Sequence, residues 1–414
     1  MFDQIFQCAA TIARYRAAPL RRSRVSYLSH WAERGAKPLT LRRLARAQVM
    51  AIRYLDLGEE GEVTPAALSE AVSRWARRDT GRRGPSARDR AAFARQVTGW
   101  LRFAGRLESS GKPRSRNEER VEAYVQHMLR ERGCSASTAL AVRGRVAEFL
   151  RHIEGEGLAL ADVEVSTVDD ALRRKAEASG CSRVTLAAHA TALRSFFRYA
   201  ESRSWCQAGI AESIVAPRIF RLASLPSGPS REEVRSLIAT TDGDRPASVR
   251  DRAILLLLSV CGLRAGEVRR LRLEDIDWDA GTLCLHNTKN GRSRTDPLGS
   301  SVGAALIRYL REVRPSTAWR EVFLTVRAPV RPMHGSGIPE MVRWRMRKAG
   351  IEGPRRGAHS LRHAFAQRLL AEGFSMHEIG ECLGHRCPEA TAVYAKVDLA
   401  SLRQVADIGL EGLA

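Results

Sequence analysis

The chain has 414 residues, of which 44% are hydrophobic, and it carries 68 Lys and Arg against 46 Asp and Glu, a net charge of +22. That length calls for two or three domains with separate cores, and a charge so far from neutrality points to a polyanionic partner rather than an acidic or neutral one. Membrane-spanning and secreted disulfide-framework classes are excluded: no apolar run is long enough, Met1-Phe2-Asp3 begins no export signal, and the eight cysteines contain no CxxC pair, so reduced thiols in a cytoplasmic protein are expected.

Residues 1–108 read as helices. Val25, Leu28 and Trp31 fall at helical spacing, Gly35-Ala36-Lys37-Pro38 interrupts, and Leu39–Leu57 resumes the pattern. Thr64-Pro65 marks a helix start, with Thr as cap and Pro at the first position, and Ser86 opens another helix that carries Phe93, Val97, Trp100 and Leu101. Residues 1–110 hold 21 Lys and Arg against 10 Asp and Glu, so half of the positive excess sits here.

The polar stretch Glu108-Ser109-Ser110-Gly111-Lys112-Pro113 reads as a linker. Four apolar stripes follow within 112–207. The first runs through Val121, Tyr124 and Met128, and the second through Val146, Phe149 and Ile153. A short third helix begins at Ser166, and a fourth, capped by Ser182, runs through Leu193, Phe196 and Phe197. These stripes are core positions. Ala208–Pro229, with three prolines among Ser and Gly, is a connector, and Ser230-Arg231-Glu232-Glu233 is a capping box that opens the last domain.

In that last part Arg252–Val260 is apolar all round and therefore a buried helix. It stops at Gly262 and so holds Arg264 on a rigid base. Ile276–Trp278, Thr282–His286 and Thr295–Leu298 read as three short strands, the last two joined through Asn290-Gly291, whose residues suit a tight hairpin. Lys289 stands just before that turn. Only six of the basic residues are Lys, and a lysine can give up a proton where an arginine effectively cannot. His359 and Arg362 lie three apart on one face of a helix. Ser375 caps a helix ending at Leu383-Gly384, His385 follows, and Pro388 starts a helix that presents Tyr394. Arginine grips phosphate oxygens with paired hydrogen bonds, and a tyrosine oxygen needs a base and a cationic pocket to attack near neutral pH. Cys382 and Cys387 flank His385, but no second pair stands at zinc-ligand spacing.

The order Arg264, Lys289, His359-Ser360-Leu361-Arg362, Leu383-Gly384-His385, Tyr394 resembles that of the tyrosine site-specific recombinases, the phage integrase family. The resemblance implies a mainly α fold with a small antiparallel β-sheet in the catalytic domain, within a multidomain DNA clamp. Residues 1–108 would be a basic arm or accessory module, with a dimer contact or a plain scaffold as open alternatives. Residues 112–207 would be a SAM-like core-binding domain, with Arg143 and Arg145 along phosphates, and 225–408 the catalytic domain. Tyr394 would be the nucleophile, Arg264, Arg362 and His385 the phosphate clamp, Lys289 the general acid and His359 the general base. Glu267 would support Arg264, and His363 would be a structural neighbour.

The implied activity is metal-free and ATP-free cutting and rejoining of double-stranded DNA through a 3′-phosphotyrosyl intermediate, without a cofactor. The implied assembly is a tetramer on paired sites, with accessory recombinases or DNA-bending proteins as further partners. The extra N-terminal domain favours a mobile-element integrase or transposase. A type IB topoisomerase and a catalytically silent DNA-binding regulator are the rival readings. Ala265-Gly266, Arg386-Cys387 and Ala395-Lys396 depart from the usual pattern without removing a catalytic group. The apolar tail 399–414, with Leu402, Val405 and Ile408, is expected to dock on a neighbouring protomer or on its own domain.

Overall fold

The computed structural model describes residues 1–58, 61–77, 85–108, 115–219, 228–286, 293–353, 356–385 and 387–397. Lys289, the Asn290-Gly291 turn and the tail 399–414 lie outside the described residues. Packing divides the chain into two units, Ser109–Ala223 and the combination of Met1–Glu108 with Ser224–Ala414.

The chain begins with two short helices, α1 (Phe2–Ile5) and α2 (Ala9–Ala17), followed by α3 (Arg21–Glu33), α4 (Pro38–Leu55), α5 (Pro65–Ala76) and α6 (Ala87–Phe103). The starts follow local chemistry. The Thr64 hydroxyl accepts from the amide of Ala67 with Pro65 in the first turn, and Ser86 and Asp89 form a reciprocal capping box. Leu28, Ala45, Trp100 and Leu101 are fully buried between these helices. Burying a leucine of this kind is worth about 1.5–3 kcal/mol, before the conformational entropy that ordering it costs. Arg24 is buried too, and it stays tolerable because its guanidinium donates to the carbonyls of Tyr15, Ala18 and Pro19. The loop after α3 meets the later part of the same unit, where the amide of Val330 donates to the carbonyl of Arg34 at 3.0 Å.

The second unit is a helical bundle of α7 (Arg116–Arg130), α8 (Ala136–Gly155), α9 (Val165–Ser179) and α10 (Arg183–Ser202), closed by the short α11 (Ile210–Ser213). Tyr124, Val146, Ile153, Phe196 and Phe197 form its centre. The Tyr124 hydroxyl, which would be costly to bury alone, donates to Ser195 Oγ at 2.8 Å. The third helix is not short. It runs for 15 residues because Glu164 caps its start and only Gly180, at φ 52°, ends it.

The remainder of the first unit contains α12 (Arg231–Ala239), α13 (Pro246–Ser259) and α14 (Ala265–Arg270). The strands β1 (Ile276–Asp277), β2 (Thr282–Leu285) and β3 (Arg294–Pro297) follow, then α15 (Ser300–Glu312), α16 (Gly337–Lys348), α17 (Ala358–Ala371) and α18 (Met376–Leu383). The expected central helix is there: Ile254, Leu255, Leu257 and Leu258 of α13 have no exposed surface. A buried ion pair between Asp251 and Arg345 ties α13 to α16 at 2.8 Å. The strands form one antiparallel sheet in the order β1-β2-β3, with Leu285 opposite Arg294 and Leu283 opposite Asp296. The expected helix at Pro388 is instead two 3-10 turns, Pro388–Ala390 and Ala392–Val397, since the amides of Ala390 and Tyr394 bond three residues back rather than four. Among the described residues no helix is long and apolar enough to cross a membrane.

Candidate active site

The site begins at the end of α13. Gly262 takes a left-handed turn at φ 63°, and a Cβ there would meet Phe365 Cδ1 at 2.3 Å, so both backbone and space require glycine. This turn delivers Arg264 to the start of α14. Glu267, one turn into α14, accepts from the Arg264 amide at 2.8 Å with one oxygen and from its Nη1 at 2.8 Å with the other. The guanidinium is thereby held by its own helix start. Burial works to raise the Glu267 carboxyl, but the hydrogen bonds and charge of Arg264 outweigh it and hold the group below the ordinary Glu range.

Arg362, on α17, comes to the same place from 100 residues later. It is 2% exposed, its Nη1 donates to the carbonyl of Gly262 at 2.6 Å, and its Nη2 donates to the carbonyl of Leu383. One arginine therefore ties the turn before α14 to the end of α18. Burial, and next the neighbouring Arg264, push its guanidinium down to about 9, with Glu267 opposing.

His385 follows Gly384, which ends α18 at φ 59°. Its Nδ1 lies 2.7 Å from the buried Thr391 Oγ1. Burial, then Arg362 and Arg264, pull the imidazole down to about 4, so at neutral pH it is uncharged. If Nδ1 accepts from Thr391, Nε2 carries the proton and is a donor. Two arginines and a neutral histidine therefore share one positive field that a bound anion would relieve.

Tyr394 sits beside them and is hidden. It is 2% exposed, packed with Phe365, Ala366, Leu369, Ile379 and Leu383. Burial raises its phenol above the ordinary value, while Arg362 and Arg264 pull the other way. Its hydroxyl is 2.8 Å from Nδ1 of His363, not at His359. His363, expected as a structural neighbour, is thus the hydrogen-bond partner of the phenol. His359 and His363 stand four apart on α17, and the phenol arrives over the second of them, where the helix is buried. His359 is exposed and meets His363 edge to face, with ring centroids 4.4 Å apart.

Arg294 was not singled out from the sequence, yet it belongs to this cluster. It lies on β3 opposite the buried Leu285, and directly paired residues share a face, so its side chain points inward. Its Nη2 is 2.8 Å from Asp296 and 4.0 Å from Glu267. Burial raises the Asp296 carboxyl, and the charge of Arg294 opposes that rise. A Cβ on Gly384 would fall 2.4 Å from Arg294 Nη1, so the glycine before His385 also makes room for this arginine. The inward-facing charges of a strand reading Arg-Thr-Asp-Pro were the signal available in the sequence.

The structure therefore gathers Arg264, Glu267, Arg362, His385 and Tyr394 from four separate segments, with His359 at the exposed edge. Lys289 falls outside the described residues. Among the described residues no three His, Cys, Asp or Glu side chains converge as metal ligands, and Cys382 and Cys387 are both exposed free thiols.

Two family descriptions match this chain: the phage integrase family over residues 230–400, and the phage integrase N-terminal SAM-like domain over residues 121–204. A Sinorhizobium fredii protein carrying the name integrase/recombinase y4rA is 38% identical over 328 residues, covering 78% of this chain and 79% of its own length. The tyrosine recombinase XerD of Mycobacterium tuberculosis is 32% identical over 305 residues, covering 69% of this chain and 95% of its own. The crystal structure of the XerH site-specific recombinase, bound to a palindromic difH substrate after cleavage, superposes with a TM-score of 0.52 at 16% identity. That match covers 70% of this chain and 94% of XerH.

Proposed function

Since this chain belongs to the tyrosine recombinases of the phage integrase family, enzymes that transfer DNA strands, we propose that Tyr394 is its nucleophile and that it works through a covalent 3′-phosphotyrosyl intermediate. The phenol oxygen attacks a backbone phosphorus. A P–O bond forms to Tyr394, the bond to the 5′ oxygen breaks, and Lys289 gives that oxygen a proton. Charge building on the non-bridging oxygens is met by Arg264, Arg362 and the Nε2 proton of His385. Because the phosphotyrosine keeps the energy of the broken bond, a second 5′-hydroxyl can reverse the step without ATP. The arginines supply the positive charge the reaction needs, so the proposed cycle calls on no metal and no cofactor.

The observation that carries this reading is the gathering of Arg264 and Arg362 beside a neutral His385 and a phenol that both arginines influence. His363 is the resting partner of the phenol, and His359, at the open edge, is the base that takes its proton once the tyrosine swings out. Residues 112–207 serve as the core-binding domain and 225–408 as the catalytic domain. Four protomers act on two duplexes, with the target an integration or transposition site of a mobile element.

The test uses duplexes from the DNA flanking the gene, each with a nick that lets the cut fragment escape. Wild-type protein should appear as a DNA-linked band on a denaturing gel. Tyr394→Phe should bind the same duplex and give no such band, and Arg264→Ala should slow the band about 10²–10³-fold. A full yield of linked protein from Tyr394→Phe would sink the assignment.

A further inference from the structure

We infer that the N-terminal helices carry a second DNA-binding site, a groove between α4 and α6 that takes the sugar-phosphate backbone of a duplex without reading its sequence. The inference goes beyond strand transfer: no residue of the groove belongs to the cluster around Tyr394, and neither family match reaches residues 1–108.

The groove has a volume of about 1070 Å³ and is walled by Arg43, Arg46 and Arg53 from α4 and by Arg88 and Arg95 from α6. All five are exposed, and among the described residues none takes part in an ion pair. Its one acidic lining residue, Asp89, is already engaged, since its carboxylate accepts from the amide and hydroxyl of Ser86. Five cations thus line a cleft whose lining holds a single carboxylate among the described residues, and an excess of like charge held so is relieved by a polyanion.

Spacing favours a backbone. Arg46 and Arg53 are seven residues apart on α4, and so are Arg88 and Arg95 on α6, two turns and roughly 10.5 Å along each helix. Each wall of the groove therefore carries guanidiniums repeated along its helix, as contact with an extended polyanion requires. A single strand read through its bases fits less well, because the aromatic floor is already stacked on itself: Trp75 and Phe93 lie face to face, centroids 4.3 Å apart and planes 16° from parallel. Phe93 is buried besides, and offers no free face for a base. The stack instead ties α5 to α6 beneath the groove and leaves recognition to charge.

The test measures binding of the full chain to a 20-base-pair duplex of random sequence by fluorescence anisotropy across a salt series. Three proteins are compared: wild type, the groove variant Arg43→Ala/Arg46→Ala/Arg53→Ala, and a charge-matched control from the same helices' neighbourhood, Arg14→Ala/Arg21→Ala/Arg22→Ala. Each phosphate contact contributes about 0.9 to the slope of log affinity against log salt, so the groove variant should lose roughly 2 to 3 from that slope and the control much less. Both variants should keep the wild-type circular dichroism spectrum and the covalent adduct. Equal loss from the two triple variants would mean diffuse charge and would overturn the groove. So would an unchanged slope, or loss of binding to labelled polyglutamate with none to the duplex, which would indicate an acidic protein partner. Absence of the adduct from every version, with the slope difference intact, would remove the strand-transfer reading and leave the groove standing.

Discussion

The hydroxyl of Tyr394 lies 2.8 Å from Nδ1 of His363, within an apolar cluster that leaves the tyrosine 2% exposed. The roles proposed for the two histidines of α17 can therefore be tested separately. Replacing His363 by Phe strands a buried hydroxyl and should cost about 1–3 kcal/mol of stability. Replacing the exposed His359 by Ala should change stability by no more than about 0.5 kcal/mol while slowing adduct formation. Urea titration and the covalent-adduct gel, run on both variants, decide the matter; the opposite pattern would exchange the two roles.

A second prediction concerns pH. His385 ordinarily titrates near 6.5 and is pulled to about 4 in the fold, by burial first and then by Arg362 and Arg264. Between those values the unfolded chain binds a proton there and the folded chain does not. Stability contributed by the neutral ring is thus complete above about pH 6.5 and is lost as the pH falls toward 4, by about 1–3 kcal/mol after allowance for partial solvent access. His385→Asn should flatten that part of the stability curve, measured by urea titration at pH 7 and pH 4.5. An identical fall in both proteins would remove His385 from the account.

Arg294 offers a third. Removing it leaves the half-buried Asp296 and the buried Glu267 with one fewer cation, and breaking such a pair from one side costs up to about 3–5 kcal/mol when it is fully buried and less here. Asp296 is already raised by burial, with Arg294 holding it down. In Arg294→Ala its carboxyl should therefore take up a proton more readily, and the stability loss should be smaller at pH 5 than at pH 7. A loss of equal size at both would show that packing, not charge, is what Arg294 contributes.

The fourth compares two glycines with nearly the same backbone. Gly262 and Gly281 have φ values of 63° and 61°, but a Cβ on Gly262 would strike Phe365 while one on Gly281 would meet nothing within 4 Å. Gly281→Ala should cost about 1–2 kcal/mol, from the left-handed conformation alone. Gly262→Ala should cost clearly more and should impair adduct formation as well, since the Gly262 carbonyl holds Arg362. Equal melting temperatures for the two variants would contradict the close approach of Phe365.

Much of this was legible in the sequence because the signals are local. Capping boxes at Ser230 and Ser375, the Thr64-Pro65 start and the all-apolar run at Ile254 each follow from a few neighbouring residues, and each element formed where expected. The bond between His363 and Tyr394 was not legible, because residues four apart share a helix face and only the position of the segment bearing Tyr394 decides which histidine it meets. Arg294 was hidden by abundance, since one arginine among so many basic residues attracts no notice. The backbone bond between Val330 and Arg34, a contact between the N-terminal helices and the later part of the same unit, involves no side chain and so left no mark in the sequence.

The storage of Tyr394 has a consequence for the cell. The proposed cycle calls on neither fuel nor metal, so it has no external supply to switch off, and restraint has to come from the protein's own shape. With the proposed nucleophile shut among Phe365, Leu369, Ile379 and Leu383, the molecule would collide with genomic sequence throughout its lifetime and leave it unbroken, until a proper target supplies the energy to draw the blade.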